Sequence, residues 1–227
     1  NWIETPSFVP WSSYLDSGGD PLAFPYGPVM LISHLPTTFL GWIVDKTFAF
    51  EYFTSFGFRL SLLLADLFLL MTLLQSFEIY WKKILLFYWL SPLVIFITYW
   101  HGQTDLIPVA LFFYSLALIK KGNYWLAGAY FAFSIAAKHS MLIGLPFIGL
   151  YLWSHNGVNR ELQHFLKSFL GCLLLVEIPF IFSESFISMV LSTREVDKLY
   201  WLFIDMGNND LIFVTPLIYV LLIYFFW

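Results

Sequence analysis

The chain has 227 residues, of which 59% are hydrophobic and 11% charged, with a mean hydropathy of +0.76 and a formal net charge of -4. Soluble domains carry roughly 25% charged residues, so this composition excludes an ordinary soluble globule and predicts a polytopic membrane protein. The acidic balance, without any basic run, excludes nucleic acid as a partner, and the lone Cys172, inside an apolar run, excludes an intrachain disulfide and suggests no cysteine-based metal site.

The chain opens at Asn1 without a charged start or small-residue cleavage site and closes inside the apolar run ending at Trp227, so a fragment of a longer protein, truncated at both ends, is expected. Residues 1–26 are rich in Pro, Gly, Ser and aromatics and follow neither a helical nor a strand period; they read as an outer loop with a short interfacial helix near Trp11 to Leu15. Asp16 and Asp20 in this loop are suited to a sugar or a divalent metal, although solvated loop aspartates are commoner. Apolar runs follow at 28–44, 54–77, 84–100, 105–119, 123–154, 162–182 and 211–227. A crossing takes about 20 residues, so most can span; 105–119 is short, and 123–154 suits two short crossings hinged near Lys138-His139 or one extended crossing. Backbone groups in lipid must be satisfied internally, which predicts an all-α transmembrane bundle of about seven or eight helices over 27–227. Tyr80, Trp81, Tyr99, Trp100, Tyr124 and Trp125 crowd the run edges, as interfacial belts require.

Loop cations set the orientation. Lys82-Lys83, Lys120-Lys121 and the stretch from Arg160 to Lys167 are assigned to the cytoplasm, which places the turn from His101 to Asp105 on the outer side. A hinge near Lys138-His139 brings that pair to the same face, along with the loop 183–208 carrying Arg194, Asp197, Lys198 and Asp205. Counting back places residues 1–26 inside, unless 28–53 holds a re-entrant segment broken at Pro36 or one cation assignment differs.

The chemistry-bearing residues concentrate at Tyr99-Trp100-His101-Gly102-Gln103-Thr104-Asp105. Such polar density between two apolar runs marks a functional site in a membrane protein. A turn at Gly102 leading into a helix that starts near Gln103 is predicted, with Pro108 in its first turns; His101 and Asp105 share a face if the helix runs through both. Gln103 and Asp105 beside aromatic rings suit sugar hydroxyls, against the simpler reading of Asp105 as a helix cap. Lys138 must snorkel, pair or bind an anion, because an unpartnered buried ammonium is strongly unfavourable. Arg59 and Asp66 lie two turns apart on one helical face and read as an interhelical polar contact; Glu177 reads as an interior polar group. Arg194 is a candidate phosphate grip. No P-loop, dinucleotide turn or HExxH pattern is present, which argues against a nucleotide donor and zinc hydrolysis.

Trp11-Ser-Ser-Tyr-Leu-Asp-Ser-Gly-Gly, then Phe24-Pro-Tyr-Gly-Pro28, then Gly102-Gln-Thr-Asp105, then Ala127-Gly128, Ala136-Ala-Lys138 and Leu145-Pro146, resemble in order and spacing the GT-C glycosyltransferases over roughly 11–150. Within these, the chain is similar to bacterial mannosyltransferases related to the GPI second-mannose enzyme. The resemblance implies a multi-pass protein of a bacterial plasma membrane or the ER membrane. It would transfer a sugar, mannose favoured, from a polyprenyl-phosphate carrier to a lipid, glycan or protein acceptor on the outer face, with inversion. It also implies an aspartate general base in the first outer loop; the residues before Trp11 offer only Glu4, so the base is expected upstream of the chain, with Asp16 and Asp20 as the candidates within it. Carried over, Gln103 and Asp105 orient hydroxyls, Lys138 with His139 stabilises the departing phosphate, and Tyr26 shapes the pocket. No cofactor is called for, and a divalent metal is left open. A transporter or flippase using Asp66, Asp105, Lys138 and Glu177 is the alternative from another class; the absence of an internal repeat and the clustering of polar groups near one face argue against it. A membrane scaffold with purely structural polar groups is the third reading.

Overall fold

A computed structural model describes residues 7–156, 160–192, 194–207 and 210–226, with the side chains of all of these except 155, 156 and 194–196. Helices dominate, as the apolar runs predict. In chain order they are α1 (Pro10–Asp16), α2 (Pro28–Phe48), α3 (Phe53–Ser76), a bent pair α4 (Glu78–Trp89) and α5 (Pro92–Trp100), α6 (Leu106–Lys120), α7 (Tyr124–Ala137), a 3₁₀ turn (His139–Gly144), α8 (Leu145–Asn156), α9 (Arg160–Glu177), the short α10 (Glu184–Phe186) and α11 (Val214–Phe226). The predicted loop 183–208 carries α10, a π turn, a 3₁₀ turn and strand β1 (Phe203–Asp205), which pairs antiparallel with β2 (Leu211–Phe213), Phe203 opposite Phe213.

The chain divides into two compact units. One comprises Asn1–Pro25, Leu142–Leu162 and Phe180–Trp227. Its core is Trp11 of α1 edge-on to Phe180 and Phe186, with Met189 and Val190 buried beside them. The short helix expected near Trp11 to Leu15 therefore forms, with Pro10 at its first turn. The other unit comprises Tyr26–Met141 and Gln163–Pro179. In it α2 packs on α3, α3 on α6, and α6 on α7. A Cβ at Gly41 would lie 2.0 Å from the Phe53 carbonyl oxygen and one at Gly57 2.2 Å from that of Thr37, so the α2–α3 contact is backbone on backbone. Gly128 of α7 meets the Phe165 carbonyl of α9 in the same way, and Phe131 packs against Phe165 and Phe169.

Two expectations are corrected. Pro36 does not break 28–53: α2 runs through it as one helix, because the contact of His34 with Ser61 before it and the Gly41 contact after it hold the axis against α3. The helix after the turn starts at Leu106 rather than near Gln103, so no helical face joins His101 to Asp105. The run 123–154 does interrupt at Lys138, where the backbone turns extended after α7. Among the described residues α3 is long and apolar enough to cross a membrane, and the α4–α5 pair, bent by 48°, passes the same test if it forms one span; the remaining apolar helices are shorter.

Candidate functional site

The site forms where α5 turns into α6 and where α7 ends. Beyond Trp100 the His101 N–H donates to the Phe96 carbonyl at 2.9 Å and the Gln103 N–H to that of Ile97 at 3.1 Å. The chain reverses at Gly102, whose φ of +75° is open to glycine at no steric cost. Thr104 is buried, and Asp105 occupies the N-cap position of α6. Its side chain makes no capping bond. Instead Oδ1 accepts from Lys138 Nζ at 2.6 Å and Oδ2 from Gln103 Nε2 at 3.4 Å, so the cap reading is replaced by an ion pair.

Lys138 reaches Asp105 because α6 and α7 are pinned at that end. Ser134 Oγ donates to the Pro108 carbonyl at 2.7 Å, and further along Ser115 Oγ donates to the Ala127 carbonyl at 2.7 Å. Tyr26 closes the third side. The Gly27 N–H donates to the Ala137 carbonyl at 3.0 Å, and a Cβ at Gly27 would lie 2.1 Å from the Ala136 oxygen, so this approach admits only glycine. It places the Tyr26 ring 5.5 Å from the Lys138 ammonium, in cation–π range. The side chains of Lys138 and Asp105 remain 27% and 33% exposed, so a ligand can reach both. Each charge also suits its helix end: the carboxylate sits at the positive N-terminus of α6, the ammonium at the negative C-terminus of α7. A cation, a carboxylate, a carboxamide and an aromatic face thus converge, which suits an anionic group next to hydroxyls.

His139 Nε2 turns to Glu177 Oε1 of α9 at 2.7 Å. His101 is exposed in the turn, with no hydrogen bond or ion pair from its ring to Lys138 or Asp105 among the described residues. Asp16 is the exposed last residue of α1, and Asp20 accepts the Leu22 N–H at 2.9 Å; both belong to the unit built around Trp11. The Arg194 side chain and Glu4 lie outside the described residues. Among those described, no group of three or more His, Cys, Asp or Glu is placed to hold a metal ion.

One network was legible only in part. Asp66 of α3, 2% exposed, accepts from the hydroxyls of Tyr88 and Tyr99, the latter at 2.5 Å, while Arg59 Nη1 donates to the Tyr99 carbonyl at 2.9 Å. The shared face of Arg59 and Asp66 signalled a polar contact, but the belt-like position of Tyr99 hid its partner.

Comparison with curated proteins and with solved structures finds no match. The sequence model of the ALG6, ALG8 glycosyltransferase family does match, over residues 41–201. That span contains Gln103, Asp105, Lys138, His139 and Glu177 and leaves out Asp16, Asp20 and Tyr26. A match over most of the chain, with the polar turn and its lysine inside it, shows that this chain belongs to the ALG6, ALG8 glycosyltransferase family.

Proposed function

We propose that the chain is part of a multi-pass membrane enzyme that moves a hexose, mannose in the first instance, from a polyprenyl-phosphate carrier to a lipid, glycan or protein acceptor on the outer face, with inversion. Family membership supports a membrane-embedded glycosyltransferase using a lipid-linked sugar; the mannose preference rests on the motif resemblance alone. The observation that carries the site is the ion pair of Lys138 with Asp105, flanked by Gln103 and Tyr26.

In this reading Lys138 is the phosphate contact. Charge-assisted hydrogen bonds to phosphate are about twice as strong as neutral ones, and an ammonium already held in place by Asp105 needs little reorganisation as charge grows on the departing phosphate. Asp105 holds that ammonium while no donor is bound and, with Gln103, offers acceptors and donors to hydroxyls of the sugar or acceptor. The resemblance puts the general base in the first outer loop, where Asp16 and Asp20 are the candidates. The outer-face assignment draws support from the other end of the α6–α7 hairpin. α6 has 15 residues and so is about 22 Å long; at its far end Lys120 Nζ donates to the Ser76 carbonyl at 2.6 Å and Lys121 Nζ reaches Gln75 Oε1 at 3.4 Å. The cation cluster assigned to the cytoplasm is thereby a helix length away from the site.

Membranes containing the full-length protein test this with radiolabelled polyprenyl-phosphate mannose, glucose and arabinose. Label moving into a lipid or glycan product from one of these donors supports the reading and identifies the sugar. Folded protein that transfers none of the three contradicts it and moves the transporter reading ahead.

A further inference from the structure

Asp66 is a carboxylate inside an apolar helical unit, where an unsatisfied charge is strongly unfavourable. Both of its oxygens are taken, by the hydroxyls of Tyr88 from α4 and Tyr99 from α5. Seven residues earlier on the same helix, Arg59 holds the main-chain carbonyl of the same Tyr99. α3 therefore grips one residue of α5 at both its side chain and its backbone. Packing alone does not require this, because apolar side chains of similar volume fill such a position at least as favourably. What it does fix is the starting point of the turn: Gln103 follows four residues after Tyr99 and closes back on Ile97, and Asp105 follows two residues later. Gly102 between them gives the turn freedom in its backbone that an anchor at Tyr99 limits.

We propose that Asp66 is a positioning residue for the sugar-transfer site: through the Tyr99 hydroxyl, and with Arg59 on the Tyr99 carbonyl, it sets the turn that presents Gln103 and Asp105. This rests on the site reading above. Asp66 is buried against the two tyrosine hydroxyls, so its effect passes through the turn.

The test is a double-mutant cycle on the purified full-length protein, with a labelling readout that does not depend on activity. Tyr99→Phe lowers kcat/KM for transfer about tenfold in the native background and by less than about twofold when Asp105→Asn is already present. Equal losses in both backgrounds would make the network purely structural and overturn the proposal. For the second readout, Thr104→Cys is placed in a Cys172→Ser background. Thr104 is 8% exposed, so its thiol is shielded from a water-soluble maleimide while the turn is held. Tyr99→Phe, and separately Arg59→Gln, which acts on an exposed side chain and spares the buried carboxylate, each raise the labelling rate about tenfold. Unchanged rates overturn the anchor whatever the sugar donor is. Full transfer by Asp105→Asn alone would instead overturn the site reading, so the two failures are distinguishable.

Discussion

Lys138 and Asp105 are each about a quarter to a third exposed, and ion pairs in that range contribute little to stability. On the proposed reading, the pair holds the ammonium ready for a phosphate that displaces or joins the carboxylate. Lys138→Ala is accordingly expected to raise the donor KM about tenfold or more, the loss of one charge-assisted contact, and to change the acceptor KM less than about twofold. Initial rates with each substrate varied in turn check this, and equal effects on both substrates would contradict the phosphate role. Each charge was legible in the sequence because a lone charge in an apolar run demands an explanation. Their partnership was not, because it depends on the closure of the α6–α7 hairpin across 33 residues. His139 shows the converse: adjacency in sequence suggested a shared role with Lys138, but the backbone passes from extended to 3₁₀ between them and sends the ring to Glu177.

The elements are positioned by contacts that the apolar pattern marks only indirectly. Gly57, to which the sequence reading assigns no role, is the point at which α3 touches the α2 backbone. Gly57→Ala is expected to lower the thermal stability of the detergent-solubilised protein by about 1–3 kcal/mol, because the obstructing atom is a backbone carbonyl that cannot rotate away. Nearer the junction of the same two helices, Asp45 accepts the N–H groups of Phe53 and Thr54 at 2.9 and 2.7 Å and the Thr54 hydroxyl at 2.6 Å. The carboxylate thus caps the first turn of α3 from the end of α2, beyond the apolar run 28–44. Desolvation pushes its pKa up but is outweighed by the Thr54 hydroxyl and the backbone N–H groups, which hold the carboxyl below its ordinary 3.8. Since the folded pKa is the lower one, the cap's contribution is complete above the unfolded value and is lost as pH falls through the folded value. Asp45→Ala is therefore expected to lower the melting temperature at neutral pH, with the gap to the native protein closing below about pH 4; a gap independent of pH would contradict it. Helix existence along the chain was legible from hydropathy. The start of α6 was not, because the Gly102 turn and the backbone bonds to Phe96 and Ile97 delay it by three residues.

At the scale of the whole molecule the dominant feature is apolar exposure. Trp100 is 79% exposed, Leu175 77% and Phe225 79%, and α11 buries no residue. Soluble monomers rarely show contiguous apolar patches beyond a few hundred Å², so these faces call for lipid. The composition already implied this, since a chain with 59% hydrophobic residues cannot hide them all in a core of this size. Removing detergent or lipid is expected to precipitate the full-length protein, and a monodisperse detergent-free monomer in solution would contradict the membrane setting. On the proposed reading, sugar is transferred at the turn from His101 to Asp105, beside Lys138. The most direct test is the initial rate of labelled-sugar transfer by the purified full-length protein and by Asp105→Asn, compared at matched melting temperature. A rate reduced about a hundredfold with folding intact is the predicted result; an unchanged rate, or a loss that tracks misfolding, would contradict it.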